Sequence, residues 1–290
     1  MLAKKFNGEI ISADSRTIYR GLNIGTAKVS GKWSTCLFHG REKGRYFVYK
    51  KIPHHLIDFL TPDKTFSAAD FAKHAKKIIR QIQKRNHLPI LCGGTGFWID
   101  ALFDPALLPA VPPNPRLRGQ LEKNTVAQLF SQLKKLAPNR AHAIDKKNKR
   151  RLIRAIEIVS YRGRLSFKRG SPSAPRFQVL WIGLDLPNAE LKEKIRKRFL
   201  VWIKQGLVLE TKKLAKQVKS KRLREIGLAY PIVAEYLLGK ISKDQMIERS
   251  VNAIYHYAKR QKTWFTKNKK IHWITKIQEA AKLTNSFLQL

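Results

Sequence analysis

Apolar positions along the chain fall into two patterns, short unbroken runs and stripes at helical spacing. Leu88–Cys92 is an apolar run that meets Gly93-Gly94-Thr95-Gly96 and passes at once into an apolar-faced segment ending at Phe103. That pattern predicts a buried parallel strand, a tight turn and a helix N-terminus. Glu9–Ala13 predicts a second short strand, preceded by the end of a helix over Leu2–Phe6 that Asn7-Gly8 closes. Ser67-Ala68-Ala69-Asp70 has the form of a capping box and starts a helix to about Asn86. Phe177–Leu184 returns to strand, and Asn188 is expected to cap a helix with Leu191, Ile195, Phe199 and Trp202 on its buried stripe and Gly206 at its end. A last long helix starts at Ser242-Lys243-Asp244-Gln245 and reaches Phe265. Residues 29–51 show no clear period and read as a loop or small excursion.

The proline-rich crossing from Pro105 to Pro115 marks a boundary. Residues 116–170 beyond it read as helices carrying sixteen Lys or Arg against Glu122, Asp145 and Glu157. On a helix over Lys147–Tyr161, Leu152, Ile156 and Val159 share one face, which puts Arg150, Arg151 and Arg154 outward on the other. The organisation expected is an α/β core over 1–112, an inserted basic all-helical block over 113–172, and a return to the core over 173–290. A chain of 290 residues with 59 Lys+Arg against 20 Asp+Glu carries +39. Such an excess predicts a polyanionic partner, because neutralising phosphates releases counterions. No window is apolar enough to span a membrane, and two distant cysteines suit a reducing cytoplasm.

Candidate chemistry gathers at two predicted strand ends. Ligands in open α/β sheets sit beyond the carboxyl ends of strands, where helix N-termini offer N–H groups to anions. There Asp14-Ser15-Arg16 follows one strand, and Thr95 follows the other with its hydroxyl expected to be available to a ligand. His54, His55 and Asp58 invite a metal reading, but no further ligand follows at a useful spacing, so a structural or positioning role is expected.

Taken together, EIISADSR (9–16), IYRGLNIGTAK (18–28), IPHHLIDFL (52–60), FSAADF (66–71), LPILCGGTGFWIDAL (88–102), RRLIRAIEI (150–158) and YAKRQKTWF (257–265) resemble the tRNA dimethylallyltransferase family in order and spacing. The resemblance implies a P-loop NTPase-like parallel-sheet core with a helical tRNA-binding insertion. It implies transfer of a dimethylallyl group from dimethylallyl diphosphate to N6 of the adenosine 3′ of the anticodon, by a monomer. Asp14 matches the family's general base, and Thr95 is the second catalytic residue the resemblance implies. Asp14, Ser15, Arg16, Thr17, Thr95, Arg118, Arg150, Arg151, Leu152, Ile153 and Arg154 match positions that touch the tRNA anticodon stem-loop, and Mg²⁺ is implied with the diphosphate.

Two departures stand out. Thr17 occupies a position where the family usually has Gln, and residues 29–51 are longer and more basic. Gly-x-x-x-x-Gly-Lys-Ser/Thr occurs nowhere in the 290 residues, so the first strand and the diphosphate-binding P-loop are expected to be missing. That leaves two other readings open, a prenyltransferase for free adenine nucleotides and a tRNA-binding remnant without catalysis. The basic insertion speaks against the first, and the absent phosphate loop is the best support for the second.

Overall fold

The computed structural model describes all residues except 39–41, 105–106, 110, 163–176 and 290. The described chain divides into two units, Met1–Phe103 with Arg176–Leu290, and Asp104–Pro175.

The first unit is built on a five-stranded sheet with strand order β2-β3-β4-β1-β5. After α1 (Leu2–Lys5), β1 (Gly8–Ser12) lies at its heart, parallel to β4 (Ile52–His55) on one side and β5 (Leu88–Cys92) on the other. Among the described residues, strand β5 has a partner on one side only. β2 (Lys32–Phe38) and β3 (Glu42–Tyr49) form an antiparallel hairpin, with β3 antiparallel to β4. Two expectations are corrected here. The sheet is mixed rather than parallel, and most of 29–51 is strand rather than loop. The hairpin escapes a search for period because β2 is an edge strand, stabilised by its cross-strand neighbour more than by a buried face.

Helix α2 (Ala68–Lys84) buries Phe71, Ala72, Ala75, Ile79 and Ile82, and its capping box forms as the sequence predicts, with Ser67 Oγ accepting from the Asp70 N–H. Phe71 stacks on Trp98 of α3 (Gly96–Phe103) at 4.9 Å between ring centroids. A buried carboxylate fastens the strands. Glu9 accepts from His55 Nε2 (2.6 Å), His87 Nδ1 (2.8 Å) and the Arg85 guanidinium. Burial pushes its carboxyl up, but these bonds outweigh that and hold it at about 2. His54 meets the Ile52 carbonyl, and Asp58 takes Lys28 Nζ at 2.6 Å. Each member of the His-His-Asp stretch thus has a structural partner, and no group of three or more His, Cys, Asp or Glu among the described residues could hold a metal ion.

The carboxyl-terminal part of this unit is largely helical. β6 (Trp181–Leu184) pairs in parallel with β7 (Ile271–Ile274) in a separate two-stranded sheet. α8 (Asn188–Lys204) buries Ile195, Phe199 and Trp202. Asn188 is its first residue rather than its cap, because Pro187 occupies the cap position. Gly206, at φ 101°, takes the left-handed turn into α9 (Leu207–Gln217), which α10 (Ser220–Ile226) and α11 (Tyr230–Leu237) follow. Ser242 caps α12 (Lys243–Phe265) in another capping box, with Gln245.

Among its described residues the regular elements of the second unit are helices: α4 (Pro115–Leu121), α5 (Val126–Leu136), α6 (Pro138–Ala143) and α7 (Lys149–Arg162). Its core gathers Leu121, Leu129, Leu133, Ala141, Leu152, Ile153, Ala155 and Ile156. No described helix is long and apolar enough to cross a membrane.

Candidate active site at the carboxyl edge of the sheet

The β1–β5 pairing continues past both strands. Ala13 N–H donates to the Cys92 carbonyl at 2.8 Å, and Thr95 N–H donates to the Ala13 carbonyl at 3.1 Å. Two chain segments running this close leave no room for a side chain between them. A Cβ on Gly93 would collide with the Ala13 backbone. The glycine is therefore a requirement of the approach, and it sets Asp14 beside Thr95.

Polar groups then fix the turn after β1. Arg16 N–H donates to Asp14 Oδ1 at 2.8 Å, while Oδ2 takes no hydrogen bond among the described residues. Ser15 N–H donates to Thr95 Oγ1 at 3.0 Å, and Thr95 Oγ1 lies 3.3 Å from Ser15 Oγ. The Thr95 hydroxyl thus helps to hold this turn, with one acceptor lone pair left over. Thr17, 8% exposed, shares a 2.9 Å bond between its Oγ1 and Ser12 Oγ. Its hydroxyl faces the protein, so a side-chain contact to RNA is not open to it.

Helix α12 closes the site from another direction. Gln261 Nε2 donates to the Gly94 carbonyl at 2.9 Å, and Trp264 Nε1 donates to Asp100 Oδ2 at 2.8 Å. A Cβ on Gly94 would strike the Gln261 amide, and one on Gly96 would strike the Trp264 ring. GGTG and YAKRQKTWF are therefore two halves of one packing arrangement. The Arg16 guanidinium lies 4.5 Å from the centroid of the Tyr257 ring, and that of Arg260 lies 5.7 Å from the same ring. Arg16 Nε is buried without a hydrogen-bond partner among the described residues. Sequence reasoning did not single out Tyr257, Gln261 or Trp264 as site residues, although their motif was visible. It also missed Glu210, whose carboxylate accepts N–H bonds from Asn23, Ile24 and Gly25 and the Tyr230 hydroxyl at 2.8–3.1 Å. The glycine in IGTAK was the one signal for it, since a Cβ on Gly25 would meet the Tyr230 ring.

The second unit holds the remaining predicted residues. Glu157, 1% exposed, accepts from Arg118 Nε (2.8 Å) and Nη2 (2.7 Å), from the Asn114 N–H (2.6 Å), and from Arg154 Nη1. Burial raises its carboxyl, and these donors, Arg118 foremost, bring it below the ordinary range. Arg154 also donates to the Val111 carbonyl at 2.7 Å. The expected outward triplet is thus divided. Arg150 and Arg151 are exposed, whereas Arg154 turns toward Glu157 and is only partly exposed. Leu152 (0% exposed) and Ile153 (5%) belong to the core of the unit, so their side chains are not available to tRNA.

The sequence between 17 and 268 matches the model of the IPP transferase family. The chain belongs to that family. It is 35% identical over 286 residues to a tRNA dimethylallyltransferase of Carboxydothermus hydrogenoformans, covering 96% of this chain and 87% of that one. It is 37% identical over 289 residues to tRNA dimethylallyltransferase 2 of Treponema denticola, covering 95% and 90%. Among solved structures it resembles the full-length tRNA isopentenylpyrophosphate transferase of Bacillus halodurans, with TM-score 0.65, 31% identity, and coverage of 100% and 89%. A eukaryotic dimethylallyltransferase shares the fold at TM-score 0.76 and 21% identity over 99% of this chain and 75% of that one. Within this IPP transferase, the described residues offer no cage for a resident Mg²⁺. Asp14 is one carboxylate with one oxygen already bonded, whereas Mg²⁺ sites of this kind draw most of their ligands from substrate phosphates and water.

Proposed function

We propose that the protein transfers a dimethylallyl group from dimethylallyl diphosphate to N6 of the adenosine 3′ of the anticodon in tRNA. The N6 amine is a poor nucleophile because its lone pair is delocalised into the ring. As N6 bonds to the allylic carbon, the carbon–oxygen bond breaks and the diphosphate leaves with its electron pair. The proton displaced from N6 passes to Asp14, whose Oδ2 is uncommitted. That oxygen, held at the carboxyl edge of the sheet, is the observation that carries the reading. Thr95 and Ser15 keep the turn still, and the adenosine must leave its stack to reach it, which an anticodon loop permits at lower cost than a duplex.

Arg118, Arg150, Arg151 and Arg154 supply charge for the RNA backbone. Arg118 and Arg154 do so with guanidiniums that Glu157 holds in place while leaving them 41% and 31% exposed. Diphosphate departure is assisted by backbone N–H groups and a lysine, with Mg²⁺ as counter-ion to the phosphates. No stretch of these residues reads Gly-x-x-x-x-Gly-Lys-Ser/Thr, and among the described residues β5 has one open edge. Both support the reading that the phosphate-holding loop is not among these 290 residues.

One experiment separates the three readings. The protein is incubated with dimethylallyl diphosphate and Mg²⁺, and with either tRNA or adenosine monophosphate. A dimethylallyl mass gain on the adenosine 3′ of the anticodon is the expected result. Modification of the free nucleotide alone would replace this reading with the nucleotide enzyme. Binding of tRNA without transfer would favour the remnant.

A further inference from the structure

The β2–β3 hairpin has no part in the chemistry above, yet its register places it beside that chemistry. Phe47 of β3 pairs with His54 of β4, and His54 is level with Ile10 of β1. Strand β3 is antiparallel to β4, so tracing it backwards from Phe47 follows β1 toward its carboxyl end. Tyr46 is then level with Ile11, and Arg45 with Ser12. The strand goes on through Gly44, Lys43 and Glu42, paired with β2 down to Phe38. The hairpin thus outreaches β4 by four residue pairs, roughly 13 Å, at the end of the sheet where Asp14 and Thr95 sit. It stands two strands from β1, about 10 Å to one side.

Its root is tied to the turn that carries Asp14. Trp33 Nε1 donates to Asp58 Oδ2 at 3.1 Å, and Asp58 Oδ1 takes Lys28 Nζ. The Asp58 N–H in turn donates to the Thr17 carbonyl at 2.9 Å. The exposed Arg45 lies over the Trp33 ring at 5.4 Å, and Phe47 meets that ring edge-on at 6.0 Å. The projecting part of the hairpin, residues 35–45, contains three Lys or Arg against Glu42 alone. A projecting, anchored and basic hairpin fits an anionic backbone.

We propose that this hairpin is a tRNA-contacting arm that grips backbone phosphates of the anticodon stem-loop whose adenosine enters the Asp14 crevice. The arm rests on tRNA being the substrate. It adds a grip on the nucleotides flanking the modified one, from the side of the sheet away from β5. Contacts of this kind set register and affinity without reading sequence, and they weaken as salt rises.

The test is the affinity of the protein for an anticodon stem-loop across a salt series, with three proteins compared. One is the parent. The second has residues 35–45 replaced by Asn-Gly, a pair that closes a short hairpin from Ser34 to Tyr46. The third is Arg45→Glu with Lys43→Glu, which keeps the hairpin's length and serves should the shortened chain not fold. The expected result is a loss of about tenfold or more in affinity for either variant. The slope of log K against log salt should become shallower by about one to two units. Hydroxyl-radical protection of the RNA should shrink on one side of the adenosine. Variants that bind like a parent that itself binds would overturn the arm alone, whereas a parent that does not bind the stem-loop would overturn the arm and the tRNA reading together. Loss of self-association with RNA affinity unchanged would also overturn it, and would assign the open β2 edge to a second copy of the chain.

Discussion

Asp14 and Glu157 are both carboxylates with arginines close in sequence, and the structure gives them opposite positions. All four acceptor sites of Glu157 are taken, two on each oxygen, by Arg118, Arg154 and the Asn114 N–H. Asp14 accepts one backbone N–H on Oδ1, and the guanidinium of its neighbour Arg16 lies over Tyr257 instead. A saturated carboxylate holds its donors in place and has nothing left for a substrate. A carboxylate with a spare oxygen at an open strand end can take a proton. What separates structure from chemistry here is therefore the number of committed lone pairs, which charge and spacing do not reveal.

Removing the saturated group should have the largest effect on the fold. Glu157→Ala leaves the Asn114 N–H and two guanidiniums without their acceptor, and should cost the helical unit about 3 kcal/mol. Urea titration followed by helix signal would read it, and a loss under 1 kcal/mol would show that the cluster is not a tie. Acid should reveal the same logic at Glu9. Its folded pKa of about 2 lies below the ordinary value of 4.5. Its stabilisation, roughly 3 kcal/mol, is therefore fully present above pH 4.5 and lost as pH falls toward 2. Glu9→Gln should flatten the acid limb of a stability–pH curve, and an unchanged limb would remove Glu9 from the account.

The comparison sharpens further inside one helix. Arg154→Ala should lower stability by about 1–2 kcal/mol through its lost bonds to Glu157 and Val111. Exposed Arg151→Ala should leave melting unchanged within a few tenths of a kcal/mol and make the salt dependence of tRNA binding shallower by about one unit. Two variants that behave alike in both assays would erase the distinction.

How much of this could be read beforehand depended on how local each cause is. The capping box at Ser67, the helix start at Ser242 and the strand–glycine–helix run at 88–103 were legible, because each is decided by residues within a few positions. The Arg154–Glu157 pair was in view at i,i+3 spacing, but what buries and saturates Glu157 comes from Asn114 and Arg118, 43 and 39 positions away. A helical wheel gives the direction of a side chain and says nothing of a partner on another helix. Thr95 was placed correctly at the strand end, while the partner that engages its hydroxyl, Ser15, lies 80 residues earlier. The hairpin at 32–49 was illegible for a related reason, since an edge ribbon shows its order in cross-strand pairs rather than in alternation along the chain.

The most direct test of the central claim is the rate of dimethylallyl transfer in single turnover at saturating tRNA, compared between the parent and Asp14→Asn. The amide keeps an oxygen to accept the Arg16 N–H, so the turn should survive and tRNA affinity should stay within about threefold. It cannot take a proton at neutral pH, and the rate should fall by about 10²–10⁴. A rate within tenfold of the parent would contradict the assignment of Asp14 as the base and leave the spare oxygen without a role.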